Sequence, residues 1–382
     1  MDQTQLLTEL GELLGAGGML TGADVGNRGA GIWRSDGVTA AAILRPRSTA
    51  EVAGCLDLCN RAGQPVVTHG GLTGLVQGAL AEPGDLVLSL ERMQQIEDID
   101  IAGRTATVQA GVPLAALQDE AAGQGLLFPL DLGARGSCTI GGNLATNAGG
   151  NRVLRYGMAR AQVLGLEAVL ADGTVLSSMN RMIKNNAGYD LKQLFIGTEG
   201  TLGIITRVVV RLHTAPSSHQ VALVACAGFD ELTRLLSTLD GEFAGTLSAF
   251  EVMWPEFYRL VTTPPAKGKP PLGDYPVYVL LDTLGAHPDL DQQRFEQVLG
   301  EQLEAGLILD AVIAQSEQER ADLWALRDDV EQVFQFGPTM VFDVSLPIAA
   351  MDGYRQRVLD TWRRDFPAGN FLVFGHLGDG NL

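Results

Sequence analysis

Three glycine-rich segments carry the most specific chemical signal in this sequence. The first, His69–Gly78, directly follows a β-branched strand. Its glycines let successive backbone N–H groups converge on an anion without obstruction by Cβ atoms, and Thr73 adds a hydroxyl donor. Such a loop would hold a phosphate group, although a turn-rich crossover explains it equally well.

The second segment, Asp131–Gly157, and the third, Lys184–Thr206, extend this pattern. The familiar nucleotide motifs do not occur, because the sequence has neither G-x-G-x-x-G between a strand and a helix nor G-x-x-x-x-G-K-[ST]. A Rossmann or P-loop interpretation therefore has no support. The second segment interleaves its small residues with polar side chains that could reach a bound cofactor, namely Ser137, Asn143, Thr146 and Asn147.

Arg327 is a candidate for binding an acidic substrate. It lies on a largely apolar helical segment after Trp324, and its planar guanidinium can pair bidentately with a carboxylate. From spacing alone, a surface ion pair with Asp328 or Glu331 is the better explanation.

Histidine and cysteine give weaker signals. His376 follows an apolar strand, where a lone histidine is usually structural. Cys55 and Cys59 lie one helical turn apart, which indicates a buried helix face rather than a metal site. The four cysteines are too few and too dispersed for a disulfide framework.

The elements around these residues alternate between strand and helix. Leucines at helical spacing predict a helix over Gln5–Leu14, and Ser48 to Glu51 resembles a capping box whose helix ends near Gly63. A further helix opens at Pro113. The dipeptide Asp172-Gly173 predicts a hairpin. The predicted strands of this half are AAILRP, PVVTH, DLVLSL, TATVQAG, VLGLEAVL and TVLS.

HTAPSSH, around His213 to His219, has the composition of a linker, so we expect domains at 1–216 and 217–382. The second is predicted to be an α+β domain whose largely antiparallel sheet is covered by helices. Its predicted helices are FDELTRLLSTL, DQQRFEQVLGEQL, EQERADLWALRDDVEQVF and MDGYRQRVLDTWRRDF. Its predicted strands are VALVAC, TLSAFEVM, PVYVLLDTL, LILDAVIAQ, TMVFDVSLP and NFLVFGH.

Composition excludes several functions. The formal net charge of −18 over 382 residues argues against nucleic acid or an anionic membrane as a partner. The N-terminus lacks the features of a signal peptide, and no apolar run is long enough to span a bilayer. A cytoplasmic protein is expected, with an organelle interior equally compatible.

In order and spacing, the three glycine-rich segments resemble the FAD-binding domain of the vanillyl-alcohol oxidase superfamily. The D-lactate, glycolate and D-2-hydroxyglutarate dehydrogenase branch is the most similar. The resemblance runs from about Arg45 to the last residue, and Gly197-Thr-Glu-Gly-Thr-Leu-Gly-Ile-Ile-Thr206 is its most distinctive string. It implies an α+β fold in which a two-subdomain PCMH-type FAD-binding domain precedes a substrate (cap) domain.

The resemblance also implies roles for individual residues. The first loop would hold the FAD pyrophosphate through Gly70, Gly71, Leu72, Thr73 and Gly74. The flavin would be flanked by Ser137, Gly141, Gly142, Asn143, Thr146 and Asn147, with Ile205 contributing its backbone. Covalently flavinylated relatives carry a histidine where this chain has Leu72, so we expect non-covalent FAD and a structural role for His69. Cys138 is expected to be a packed small residue, and Glu199 to order a turn.

On the substrate side, the resemblance implies that Arg327 binds the substrate carboxylate and that Asn381 lines the site. His376 would be one ligand of a divalent metal such as Zn or Mn. Two residues depart from the pattern of D-2-hydroxyglutarate dehydrogenases, because Glu331 and Val341 stand where relatives have Thr and Lys. This weakens the case for a second substrate carboxylate and leaves monocarboxylates such as D-lactate, or acids with apolar tails, open.

The family pattern continues past Leu382 with the second metal-binding histidine and the catalytic base, so we expect a chain truncated at its C-terminus. The expected function is the FAD-dependent oxidation of a small 2-hydroxy acid, with electrons passed to an electron-transfer flavoprotein or a quinone. The alternatives are an oxygen-using flavin alcohol oxidase and a non-catalytic flavin-binding module. A homodimer is left open.

Overall fold

A computed structural model describes residues 2–337 and 339–382 and divides the chain into two compact units. The first unit takes in the chain up to Gly150 together with Gly157–Ala215. The second takes in Asn151–Tyr156 and Pro216–Leu382. No helix among the described residues is long and apolar enough to cross a membrane.

The first unit contains a small sheet of four strands in the order β1-β2-β4-β3. Strand β4 pairs in parallel with both β2 and β3, whereas β1 is antiparallel to β2. The strands are β1 (Met19–Thr21), β2 (Ala42–Leu44), β3 (Val66–His69) and β4 (Leu86–Ser89). The accompanying helices are α1 (Gln3–Leu14), α2 (Ala23–Gly26) and α3 (Thr49–Ala62).

Helix α3 shows how local sequence sets these elements. The Ser48 side chain accepts a hydrogen bond from the Glu51 backbone N–H, and Glu51 Oε2 accepts one from the Arg47 backbone N–H. At the other end, Gly63 adopts a left-handed conformation with φ of 64°, which glycine accommodates at little cost. Cys55 and Cys59 face the core, as predicted.

A second sheet in the same unit is antiparallel, with the order β5-β6-β10-β8-β9. The hairpin predicted at Asp172-Gly173 joins β8 to β9. The elements are β5 (Ile96–Asp100), β6 (Thr105–Gln109), β8 (Val163–Val169), β9 (Val175–Ser178) and β10 (Ile204–Arg211), with helices α4 (Leu114–Ala122) and α5 (Ile140–Ala145). A separate pair is formed by β7 (Leu126–Leu127) and β11 (His213–Thr214).

The second unit is built on one antiparallel sheet with the order β15-β12-β14-β13-β16, which confirms the predicted sheet type. Its strands are β12 (Ser218–Cys226), β13 (Leu247–Met253), β14 (Val277–Gly285), β15 (Asp310–Ile313) and β16 (Phe374–Gly375). Its helices are α6 (Val153–Tyr156), α7 (Phe229–Phe243), α8 (Pro255–Thr262), α9 (Pro288–Glu304), α10 (Glu317–Asp328) and α11 (Ile348–Asp365).

Each face of this sheet packs on its own pair of helices. Because side chains alternate along a strand, Phe250 and Val252 share one core with α7 and α9, while Met253 shares another with α8 and α10. The second face also carries two buried carboxylates, Glu251 on β13 and Asp282 on β14.

Two predictions about the second half are wrong. The boundary between the two units does fall within HTAPSSH, between Ala215 and Pro216, although β11 and the start of β12 take up four of its seven residues. The segment TMVFDVSLP forms no strand, since only Ser345 bridges to a neighbour, Asn381. The long helix over Arg327 is interrupted after Asp328 and continues as a 3₁₀ turn, Val330–Phe336.

Candidate functional site

The loop that follows β3 presents a row of free backbone donors. Among the described residues, no protein acceptor receives a hydrogen bond from the backbone N–H groups of Gly71, Leu72, Thr73 and Gly74. Leu72 is left-handed, with φ of 55°, an uncommon conformation for leucine that typically occurs where function requires it. Its carbonyl oxygen accepts a hydrogen bond from the Ile32 N–H at 3.0 Å. Unpaired N–H groups in a turned loop are well suited to holding an anion.

The second glycine-rich segment packs directly against this loop. A Cβ atom on Gly71 would lie 2.8 Å from the Cα of Cys138 and nearer still to the carbonyl oxygen of Ser137. A Cβ atom on Gly70 would lie 3.2 Å from the Cα of Gly142. Glycine is therefore required here because two backbone segments approach each other closely.

The third segment completes the same cradle, which we define as Gly70–Gly74, Ser137–Asn147 and Gly197–Gly200. The backbone N–H of Gly197 donates to the Leu144 carbonyl at 2.9 Å, and that of Glu199 donates to the Ala145 carbonyl at 2.9 Å. Glu199 has φ of 53°, as expected for a residue that orders a turn. All three predicted segments thus meet within the first unit.

Arg160 fastens this cradle and was missed by the sequence analysis. Its backbone N–H donates to Oδ1 of Asn147, while its guanidinium donates to the carbonyl oxygens of Gln193 and Ile196. One residue thereby links the second and third segments, through its backbone N–H on one side and its guanidinium on the other. The sequence offers no motif for this role, because the bonded groups are mostly backbone.

The predicted polar side chains of the cradle do not all point toward a ligand. Ser137 and Thr146 are exposed, and the Thr146 hydroxyl bonds to the Gly142 carbonyl. Asn143 is buried, and its Nδ2 lies 3.6 Å from Sγ of Cys138. Oδ1 of Asn147 accepts the hydrogen bond from the Arg160 backbone N–H. The cradle therefore offers a ligand backbone groups more than amide side chains.

Two other predicted positions serve packing. A Cβ atom on Gly141 would lie 2.5 Å from the Cβ of Ala110, so this glycine brings α5 close to the end of β6. Ile205 is buried on β10 and pairs with Ala168 of β8, so its side chain packs in the core of the first unit.

His69 and Cys138 have the structural roles expected for them. The buried His69 ring places Nε2 2.9 Å from the Ala79 carbonyl oxygen, and burial lowers the pKa of the imidazole. Cys138 is buried, and burial raises the pKa of its thiol. A raised thiol pKa disfavours the reactive thiolate.

Taken together, the cradle fits the diphosphate of a dinucleotide such as FAD. Free N–H groups from Gly71 to Gly74 match phosphate oxygens, and the absence of Cβ atoms at Gly70 and Gly71 lets the loop lie against the second segment.

In the second unit, one carboxylate connects the two predicted substrate-side residues. Glu251 Oε2 accepts a hydrogen bond from Nε of Arg327 at 2.8 Å, and its Oε1 lies 2.7 Å from Nδ1 of His376. The Arg327 side chain is 6% exposed and that of Glu251 is 2% exposed. The guanidinium also stacks over the Phe374 ring, 5.0 Å from its centroid. The surface ion pair that spacing alone favoured does not form.

Asn381 lies beside this group but is bonded to other residues. Its Nδ2 donates to Oδ1 of Asp343 at 2.5 Å and to the Ser345 hydroxyl at 3.1 Å. These bonds tie the Asp-Val-Ser-Leu-Pro segment to the residues after His376.

Asp379 adds a pH-sensitive charge nearby. Desolvation of its carboxyl group raises its pKa to about 6, the carboxylates of Glu251 and Asp343 act in the same direction, and His376 opposes them. Within residues 2–337 and 339–382, no group of three or more His, Cys, Asp or Glu side chains could hold a metal ion. The expected metal therefore has His376 as its single candidate ligand among the described residues, and one imidazole does not make a metal site.

Comparison with protein families divides the chain similarly. Residues 40–178 match the family described as FAD binding domain, and residues 215–382 match the family described as FAD linked oxidases, C-terminal domain.

Relatives of known name cover most of this chain. It is 42% identical over 342 residues to the mitochondrial D-2-hydroxyglutarate dehydrogenase of Bos taurus, which covers 89% of this chain and 62% of that protein. The chain thus spans less than two thirds of that relative. It is 38% identical over 341 residues to a D-2-hydroxyglutarate dehydrogenase of Xanthomonas citri, covering 89% of this chain and 71% of that protein.

A solved structure of alkyldihydroxyacetonephosphate synthase shares the fold. The TM-score is 0.77 at 18% identity, with 96% of this chain and 73% of that chain covered. The predicted PCMH-type architecture is therefore confirmed at the level of the fold.

Proposed function

We propose that this chain, which belongs to the vanillyl-alcohol oxidase superfamily of FAD-linked oxidoreductases, oxidises a small 2-hydroxy acid to the 2-oxo acid with FAD held non-covalently. The observation that carries the proposal is the row of free N–H donors from Gly71 to Gly74, packed against the second glycine-rich segment. When bound, FAD would supply the acceptor for the hydride that leaves C2 of the acid, while the hydroxyl proton would pass to a general base.

In this proposal the first unit binds and orients the cofactor. The N–H groups of Gly71, Leu72, Thr73 and Gly74, which have no protein acceptor among the described residues, would hold the pyrophosphate oxygens of FAD. Leu72 stands where covalent relatives carry a histidine, so its side chain forms no bond to the flavin.

The second unit supplies recognition of the acid. Among the described residues, Arg327 makes one hydrogen bond, from Nε, which leaves both terminal nitrogens for a substrate carboxylate. A bidentate pair of this kind fixes the orientation of the acid as well as its charge. Because the Arg327 side chain is 6% exposed, water competes weakly for the same nitrogens.

The proposed substrate class is a 2-hydroxy acid of the D-lactate or D-2-hydroxyglutarate type. The relatives named above are D-2-hydroxyglutarate dehydrogenases. In this chain Glu331 and Val341 replace a polar and a basic residue of that pattern, and Val341 is 63% exposed. These two replacements weaken the case for a second carboxylate on the tail, so monocarboxylates such as D-lactate belong to the proposed class alongside D-2-hydroxyglutarate.

The test is an anaerobic flavin-bleaching screen of D- and L-2-hydroxy acids with the purified protein. Loss of the flavin's visible absorbance on addition of a D-2-hydroxy acid, followed by reoxidation by a dye or by a protein or quinone acceptor, would support a dehydrogenase. Stoichiometric peroxide in air would instead indicate an oxidase. Bound flavin that no acid reduces would leave only a flavin-binding module. A comparison of D-lactate with D-2-hydroxyglutarate in the same assay decides whether the preferred substrate carries a second carboxylate on its tail.

A further inference from the structure

Glu251 holds an unusual position for a carboxylate. It lies in the middle of β13, is 2% exposed, and is surrounded on that sheet face by apolar residues of β13 and β14. A buried charge is costly unless its oxygens are fully paired. Here the two oxygens are paired with two different residues, Arg327 and His376.

The first of these bonds determines which edge of Arg327 faces outward. Because Glu251 engages Nε, it holds the inner edge of the guanidinium plane, and Phe374 stacks on its face. The terminal nitrogens are left as a fork for a second carboxylate. Without Glu251, the Arg327 side chain could rotate, and its terminal nitrogens could then bond to other acceptors nearby.

The second bond determines the tautomer of His376. A carboxylate can only accept a hydrogen bond, so the nitrogen at 2.7 Å from Oε1, Nδ1, must carry the proton. In the neutral ring Nε2 is then left with a lone pair. Carboxylates fix ligand and base histidines in this way in many sites.

We propose that Glu251 is a positioning residue that orients Arg327 and sets the tautomer of His376 at the same time. This inference rests on the proposed function, which makes Arg327 and His376 substrate-side residues. Neither contact depends on the resemblance, because both are read from the geometry of the second unit.

Asp282 provides a matched control. It is also buried at 2% exposure, lies on the neighbouring strand β14 on the same sheet face, and accepts a hydrogen bond from helix α10 through Nε1 of Trp324 at 3.0 Å. It also pairs with a histidine, His219, at 2.7 Å. It contacts neither Arg327 nor His376, so it reproduces the burial and the helix anchoring of Glu251 without its proposed role.

The experiment compares Glu251→Gln with Asp282→Asn in the FAD-loaded protein. A glutamine has one acceptor oxygen, and Arg327 can only donate, so the amide NH₂ must turn toward His376 and force Nδ1 to accept. Long-range ¹H–¹⁵N spectra of protein labelled at histidine should show His376 protonated at Nδ1 in the wild type and at Nε2 in Glu251→Gln. The His376 signal is assigned as the one lost in His376→Asn.

Turnover provides the second readout. Glu251→Gln keeps one bond to Arg327, so we expect KM to change less than threefold while kcat falls at least tenfold. Asp282→Asn should lower the melting temperature about as much as Glu251→Gln does. It should leave the His376 signal, KM and kcat as in the wild type.

Three outcomes would overturn the proposal: wild-type His376 protonated at Nε2, an unchanged His376 signal in Glu251→Gln, or equal losses of kcat in both variants. The wild-type spectrum tests the tautomer of His376 even if Glu251→Gln fails to fold. If no 2-hydroxy acid reduces the flavin of the wild type, the proposed function fails, whereas the spectra still decide the tautomer assignment.

Discussion

Replacing Gly71 with alanine should weaken FAD binding without unfolding the second unit. The new Cβ atom would lie 2.8 Å from the Cα of Cys138 and closer to the Ser137 carbonyl oxygen, both of which are backbone atoms that cannot rotate away. Carbon atoms in contact prefer about 3.5–4.0 Å. The loop and the second glycine-rich segment would therefore have to separate by about 1 Å, which moves the free N–H groups away from the pyrophosphate.

Overpacking of this kind costs about 1–3 kcal/mol. If about 2 kcal/mol of it falls on the bound state, the Kd for FAD rises about 30-fold. The assay is fluorescence titration of the apoprotein with FAD, together with the flavin-to-protein ratio after purification. Gly84→Ala is the control, because a Cβ atom there meets nothing within 4 Å. An unchanged Kd in Gly71→Ala would refute the steric argument.

Three further predictions test other parts of the molecule. Heat or acid should release FAD from the denatured polypeptide, because Leu72 cannot bond to the flavin; flavin that stays with the polypeptide would contradict this. Arg327→Lys should raise KM while FAD stays bound, because an ammonium cannot form the bidentate pair and about 2–3 kcal/mol of substrate binding is lost. Unchanged steady-state kinetics would show that Arg327 does not contact the substrate. Burial raises the pKa of Cys55 to about 12 and that of Cys59 to about 11, above the ordinary value of 9.0. Their contribution to stability is therefore fully present below about pH 9 and is lost as the pH rises toward 11–12, which urea unfolding of the wild type and Cys55→Ala across this range would measure. Fast reaction of either thiol with a disulfide reagent at pH 8 in the folded protein would contradict their burial.

The cradle was predictable because its signals are local. A β-branched strand followed by Gly70-Gly71 indicates, in the sequence itself, where the chain leaves the strand and where the backbone lacks Cβ atoms, whereas the segment that packs into this space is set by the fold. The cap at Ser48 is of the same kind, since the bond from the Glu51 N–H to the Ser48 hydroxyl joins residues only three apart. Which polar side chains face the ligand was not predictable, because Asn143 and Asn147 are bonded to groups outside their own helix or loop.

Strand pairing explains how two segments of the second half differ from expectation. TMVFDVSLP has the composition of a strand, but a strand also needs a partner along its length, and pairing here is confined to Val344–Leu346, around the single bridge from Ser345 to Asn381. Met340 and Phe342 are accordingly 66% and 60% exposed. HTAPSSH shows the opposite case, because Ser218 begins a nine-residue strand that pairs with β14 despite its linker-like composition. Whether each segment forms a strand depends on its pairing partner, and sequence composition does not identify that partner.

Glu251 marks the boundary of what local patterns can predict. In TLSAFEVM it alternates with apolar residues, so strand periodicity alone places it on one face and suggests a solvated face. The structure buries that face under α8 and α10, and the carboxylate is paired with residues 76 and 125 positions away. A charged residue inside an otherwise apolar strand is costly to bury without partners, so its presence in a central part of a sheet is itself a reason to look for a cation and a ring N–H nearby. Arg327 and His376, each with a conventional structural explanation when considered alone, are the donors that satisfy this requirement. Their joint dependence on one carboxylate is a stronger argument for a shared role than either side chain gives separately.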